Sequence, residues 1–167
     1  MLIKQKGFTL IELIVTMSVA IIVVTVGVPS FRDVVKNSRI TAQTNEFLAS
    51  VNVARSEAVK RGETMTLCPS EDGIECEEDE VKKTDWSLGL ILLDASDTVV
   101  REWDPIAASS AFVANSGFLQ YLGTGVLPDA AVNFSLEVYK CSGHQKRTVT
   151  ISRQGHATVK TTSCSTS

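Results

Sequence analysis

Between Phe8 and Val28 the 167-residue sequence carries one formal charge, Glu12. Histidine is scarce: His144 and His156 are the only two, and neither stands at ligand spacing from a cysteine. No C-x-x-C occurs, so a zinc site is not expected, and no metal or other cofactor is called for. No Ser or Cys nucleophile sits in a recognisable motif, and no glycine-rich phosphate loop is present. The chain reads as a substrate of enzymes rather than an enzyme. The net charge of −3 gives no bulk attraction to nucleic acid or anionic lipid, so either contact needs a local patch. The acidic stretch Glu71–Glu80 lacks the EF-hand order D-x-[DN]-x-[DN]-G and reads as a solvated loop. Asn133-Phe134-Ser135 matches a glycosylation sequon but falls inside a predicted strand.

What is present begins with the apolar run itself. About 21 residues at 1.5 Å each make a helix of roughly 31 Å, enough to cross a bilayer core. The short basic stretch Met1–Gly7 before it fits an end kept in the cytoplasm. A secretory signal would place its cleavage site after the apolar run, whereas here the natural cut is Gly7|Phe8, before it. A carboxylate inside such a segment costs roughly 2.5–3.5 kcal/mol on insertion scales, which marks Glu12 as a functional residue.

Four cysteines beyond the run point to an exported, oxidising setting. They allow three pairings. Cys68 with Cys76 and Cys141 with Cys164 is preferred because each bridge is then local in sequence.

After Pro29, which should kink the helix rather than end it, Phe31, Val34, Val35, Phe47, Leu48, Val51, Ala54, Ala58 and Val59 recur at spacings of three and four. That predicts an amphipathic helix ending near Arg61-Gly62, with basic residues in its last turn and a glycine at the stop. The period then changes. Thr64–Leu67 alternates, Trp86–Leu93 and Val99–Trp103 read as strands, and Ser109–Leu127 reads as short strands and turns. Val132–Val138 alternates without a break, and Thr148–Ser152 with His156–Lys160 around Gly155 predicts a closing hairpin. The class is therefore α+β.

Lys6-Gly7-Phe8-Thr9-Leu10-Ile11-Glu12-Leu13 resembles the prepilin signature of type IV pilins and of the pseudopilins of type II secretion. The resemblance implies cleavage after Gly7 by a prepilin peptidase, N-methylation of Phe8, and assembly with other pilins into a helical filament. Glu12 would then pair with the Phe8 amine of a neighbouring subunit. Asn52–Gly62, Met65–Ser70, and Asp85–Leu90 with the turn at Leu93-Asp94 resemble the FimT and GspH branch of minor pilins and pseudopilins.

The implied architecture is the type IV pilin-like fold. It comprises a leader (1–7), a transmembrane and filament-core helix (8–28), an amphipathic helix (29–62) and a β-rich antiparallel head (63–167). The implied place is the bacterial inner membrane, single-pass with a periplasmic head, and then a pilus or pseudopilus. The implied role is a structural subunit that initiates or caps a type IV pilus, or a minor pseudopilin at a secretion-system tip. A third role is a pilus-tip receptor for DNA. FimT-like pilins carry G-R-x-R near the C-terminus, where this chain has Gly155-His156-Ala157-Thr158 and so lacks both arginines. After Glu137 there is no acidic side chain, and Lys146, Arg147, Arg153, His156 and Lys160 are the candidate phosphate contacts.

Overall fold

In the computed structural model residues 8–106, 110–141 and 143–164 are described, with the backbone alone given for 26–30. One helix, α1 (Leu10–Arg61), continues through Pro29. The chain divides into two compact units within that helix, Met1–Asn37 and Ser38–Ser167.

In the first unit Thr9 caps α1. The Glu12 N–H donates to the Thr9 hydroxyl at 3.3 Å, and the Leu13 N–H donates to the Thr9 carbonyl at 3.2 Å. Thr9-x-x-Glu12 is the sequence pattern of a capping box, and Glu12 lies in the first turn, where the helix dipole favours an anion.

The second unit begins on α1 and adds eight strands: β1 (Met65–Pro69), β2 (Leu90–Leu93), β3 (Val99–Trp103), β4 (Ser110–Ala114), β5 (Leu119–Tyr121), β6 (Val132–Val138), β7 (Lys146–Ile151) and β8 (Ala157–Thr162). A 3₁₀ turn, Lys82–Thr84, precedes β2. The strands form two antiparallel sheets, ordered β3-β2-β1-β5 and β4-β6-β7-β8. The helix stops where the glycine says it should: Gly62 takes φ 69° and its N–H closes onto the Ala58 carbonyl at 2.9 Å.

Ile40, Phe47, Val51, Ala54 and Ala58 are the apolar helix residues buried in the core. Their spacing puts them on one face, together with Gln43, Thr44 and Ser50. Each of those polar groups is satisfied. Gln43 Oε1 accepts from the Ser110 hydroxyl at 2.9 Å, while Thr44 and Ser50 donate to the carbonyls of Ile40 and Phe47. The face read from the sequence at Phe31, Val34 and Val35 is not part of this core, the three being 69%, 62% and 44% exposed. They precede Ser38 and belong to the first unit. Val59 is exposed as well.

Four aromatic rings make the centre. Phe47 from α1 meets Phe112 of β4 at 4.7 Å and Phe134 of β6 at 4.6 Å, and Trp86 meets Phe134 edge-on at 4.7 Å. The Trp86 indole N–H donates to the Ser116 carbonyl at 3.0 Å, which satisfies its polar end inside the core. Trp86 is therefore not in a strand. The expected strand over 86–93 starts only at Leu90, because the Asp85 carboxylate accepts from the Ser87 N–H and hydroxyl and turns the chain inward.

Candidate functional site

Two regions hold the residues singled out by the sequence. At the start of α1, Gly7 lies outside the described residues. Phe8 is 78% exposed, and the apolar side chains from Leu10 to Val24 all face outward. The hydroxyls among them turn back onto the helix: Thr16 to the Leu13 carbonyl, Ser18 to Ile14, and Thr25 to Ile21. A hydroxyl satisfied by its own helix leaves an outer surface suited to apolar surroundings. Glu12 is exposed and is the one charged side chain on that surface. An apolar face of this extent marks an interaction surface. Among the described residues no helix is long and apolar enough to cross a membrane. Described side chains within the run stop at Thr25, so their helical length is about 24 Å.

In the second unit the five basic candidates are not gathered on one face. Lys146 is ion-paired with Glu137 at 3.2 Å, and Lys160 stands opposite Thr148, on the outer side of the sheet. Arg147 alternates with Lys146 and so points to the side of Val149 and Ile151, where its guanidinium reaches the Thr41 hydroxyl at 3.5 Å. Arg153 and His156 are exposed in the β7–β8 turn at the far end of β7.

That turn is fixed from α1, by a residue outside the apolar stripe read from the sequence. The Arg55 guanidinium donates to the carbonyls of Gly125 at 2.9 Å, Gln154 at 3.0 Å and Gly155 at 3.2 Å. It thus ties α1 to the β5–β6 connection and to the β7–β8 turn. Gly155 has φ 79°, and a side chain there would run into the Gly125 carbonyl and meet Arg55 Nε and Tyr121 Cε1 at 3.0 Å. Burial pushes the neighbouring Tyr121 phenol up to about 12, with Arg55 opposing. The raised value holds the phenol neutral, so its stabilising contribution is complete below pH 10 and is lost as pH rises towards 12.

Replacing Arg55 by methionine keeps the stem and removes the donors, leaving three carbonyls short of a partner. The expected loss is roughly 2–3 kcal/mol in urea denaturation. Arg55→Lys should recover only part of it, because an ammonium lacks the planar fork. A methionine variant as stable as the parent would contradict the clamp.

Cys68 is bonded to Cys76 and Cys141 to Cys164, with Cα–Cα distances of 5.6 and 5.7 Å. The first bridge closes the acidic loop. Within that loop the Asp72 carboxylate accepts from the N–H groups of Ile74 at 2.8 Å and Glu75 at 3.3 Å. Those backbone donors hold Asp72 below the usual carboxylate range. The stabilisation is present above the unfolded value and fades as pH falls through the lowered one. Among the described residues no group of three or more His, Cys, Asp or Glu could hold a metal ion.

The profile of type II transport protein GspH matches residues 43–155, about two thirds of the chain. The chain belongs to the GspH family. A prokaryotic N-terminal methylation motif matches residues 2–28 of this GspH-family chain. Among solved structures it is similar to the type IV minor pilin FimU of Pseudomonas aeruginosa, with TM-score 0.58 and 21% identity over 74% of this chain and 89% of that one. It is also similar to the minor pseudopilin EpsH of the type 2 secretion system of Vibrio cholerae, with TM-score 0.51 and 12% identity over 74% and 97%. The comparison with curated proteins returns no match.

The GspH segment opens at Gln43, on the α1–β4 contact, and closes at Gly155, under the Arg55 clamp. It therefore contains all four rings of the aromatic core. A helix followed by two antiparallel sheets is the type IV pilin-like fold, and the family is that of minor pilins and pseudopilins, structural subunits of type IV pili or type II secretion systems.

Proposed function

We propose that the protein is a minor subunit that initiates or caps a type IV pilus. Residues 8–28 hold it in the bacterial inner membrane, with the head in the periplasm, until it enters the filament. A prepilin peptidase cuts at Gly7|Phe8, the new Phe8 amine is methylated, and that amine pairs with Glu12 of a neighbouring subunit. The observation that supports this most is the start of α1: an outward-facing apolar surface that carries a single carboxylate one turn from the chain's processed end. In apolar surroundings that carboxylate needs a cation, and cleavage makes one close by in sequence.

A small residue at the cut suits a peptidase acting just before an apolar helix. Mass spectrometry of membrane-extracted protein is expected to find an N-terminal, methylated Phe8, and an intact Met1 in a strain with active peptidase would overturn the reading. Cross-linking to the subunits of the filament then separates a pilus from the tip of a secretion pseudopilus. DNA reception is left out of this proposal, since Lys146, Arg147, Arg153, His156 and Lys160 are divided between two sheet faces and a turn.

A further inference from the structure

A cavity of about 170 Å³ lies in the second unit, between the β4–β5 turn and the β5–β6 connection. Its walls are mainly apolar, with Phe118, Leu127, Pro128 and Val132 among them. An apolar cavity of roughly 150 Å³ holds a benzene ring, so this one has room for a single long side chain and not for a larger ligand. Both walls are fixed. On one side the Ser116 carbonyl accepts from the Trp86 indole, and the Ser116 hydroxyl donates to the Phe118 carbonyl at 2.8 Å. The Asn115 N–H donates to the Asn133 carbonyl at 3.1 Å, and the Asn133 N–H returns a bond to Asn115 Oδ1 at 2.9 Å. On the other side the Leu127 N–H donates to the Arg153 carbonyl at 2.9 Å, and Arg55 holds the Gly125 carbonyl two residues earlier. A site built in advance loses little freedom on binding.

The polar groups decide what fits. Asp129 is the one charged residue among those lining the cavity; it is exposed and forms no ion pair among the described residues. Gln120 donates its Nε2 to the Thr66 hydroxyl at 3.2 Å, which leaves Oε1 as a second acceptor. Asn115 has its Oδ1 engaged and adds one amide donor. The Phe118 ring, in the same cavity, is 50% exposed. An apolar stem with a cationic, donor-rich head matches this set. Of the two long cationic side chains, arginine suits it better. A guanidinium is planar, stacks on an aromatic face and donates to several acceptors at once, whereas an ammonium is a compact, strongly hydrated point charge.

We propose that this cavity is a docking site for an arginine side chain of a partner polypeptide, with the stem against Leu127 and Pro128 and the guanidinium shared between Phe118 and Asp129. The inference is independent of the anchoring reading, since every residue in it belongs to the second unit.

The test uses the full chain, isotope-labelled in detergent micelles and titrated with a blocked Gly-Gly-Arg-Gly-Gly peptide while its amide NMR shifts are followed. With one side chain engaged, a Kd of about a millimolar is expected, with saturating shifts at residues 115–120 and 129–132. Citrulline in place of the arginine keeps the shape without the charge. That peptide, and Asp129→Asn with the original one, should each bind about threefold more weakly. A lysine peptide should also bind more weakly than the arginine one, and Phe118→Leu should erase that preference. Unchanged shifts across β1 and β2 show that the variants are folded. Shifts that do not saturate, or equal binding of the citrulline or lysine peptide, would overturn the proposal. So would shifts confined to residues 71–80 that persist in Asp129→Asn, which would assign the cation to the acidic loop. Tighter binding of free arginine amide than of the peptide would assign the cavity to a small guanidine and overturn the docking of a polypeptide.

Discussion

Phe47→Ala is expected to remove roughly 3–5 kcal/mol from the head. Phe47 is 2% exposed and is the one helix ring in the aromatic cluster, touching Trp86, Phe112 and Phe134 at centroid distances of 6.0, 4.7 and 4.6 Å. Truncation forfeits the transfer free energy of the ring and leaves a cavity. Phe134, on β6 with a ladder to β4 on one side and to β7 on the other, cannot collapse into that space. Typical domains hold only about 5–15 kcal/mol in total, so this variant should be marginal. Urea denaturation followed by tryptophan fluorescence measures the loss, and Phe47→Leu, which keeps most of the volume, should cost less than half as much. A loss below about 1 kcal/mol for alanine would mean that the rings do not pack as described.

Glu12→Ala is expected to abolish assembly while leaving insertion intact or easier. The two effects have opposite signs. Removing the carboxylate spares roughly 2.5–3.5 kcal/mol on entering a bilayer. In a dry filament it strands the Phe8 amine of the neighbour, at a typical cost of 3–5 kcal/mol, or roughly a hundredfold to several thousandfold in assembly. Comparing the protein in sheared filaments with that in membranes reads both. Glu12→Gln separates charge from shape: a neutral amide of the same size should fail nearly as badly. Wild-type incorporation of either variant would rule out the pairing.

Much of the fold was legible because it rests on local pattern. The strict alternation from Val132 to Val138 became a strand with Phe134, Leu136 and Val138 buried. Gly62 ended the helix, and Gly155 closed the last hairpin with a positive φ. What the pattern could not carry was assignment among apolar surfaces. Phe31, Val34 and Val35 share the three-and-four spacing of the buried stripe, and nothing in spacing says where the head begins. Trp86 looked like a strand residue because apolar runs do not reveal a turn made by the side chain of Asp85. Arg55 was missed for a related reason. An arginine on a helix reads as solvated, and its acceptors are carbonyls 70 and 100 residues away. Thr9, by contrast, could have been found, since T-x-x-E before an apolar run is a start signal in its own right. At the candidate site the residue types were legible, but the division of the basic tail between two faces required the β7–β8 register.

The separation between Arg55 and its acceptors also has a meaning in time. A chain is made from its N-terminus, so the helix face bearing Phe47 and Arg55 is complete long before Phe112, Phe134 or Gly155 exists. The first sheet waits as well, because β1 pairs with β5 across more than fifty residues. Hairpins β6–β7 and β7–β8 are local and close fast once made. During synthesis the nascent head therefore displays an uncovered apolar helix for most of its elongation, and its period of greatest exposure to aggregation ends only when the last hairpin docks.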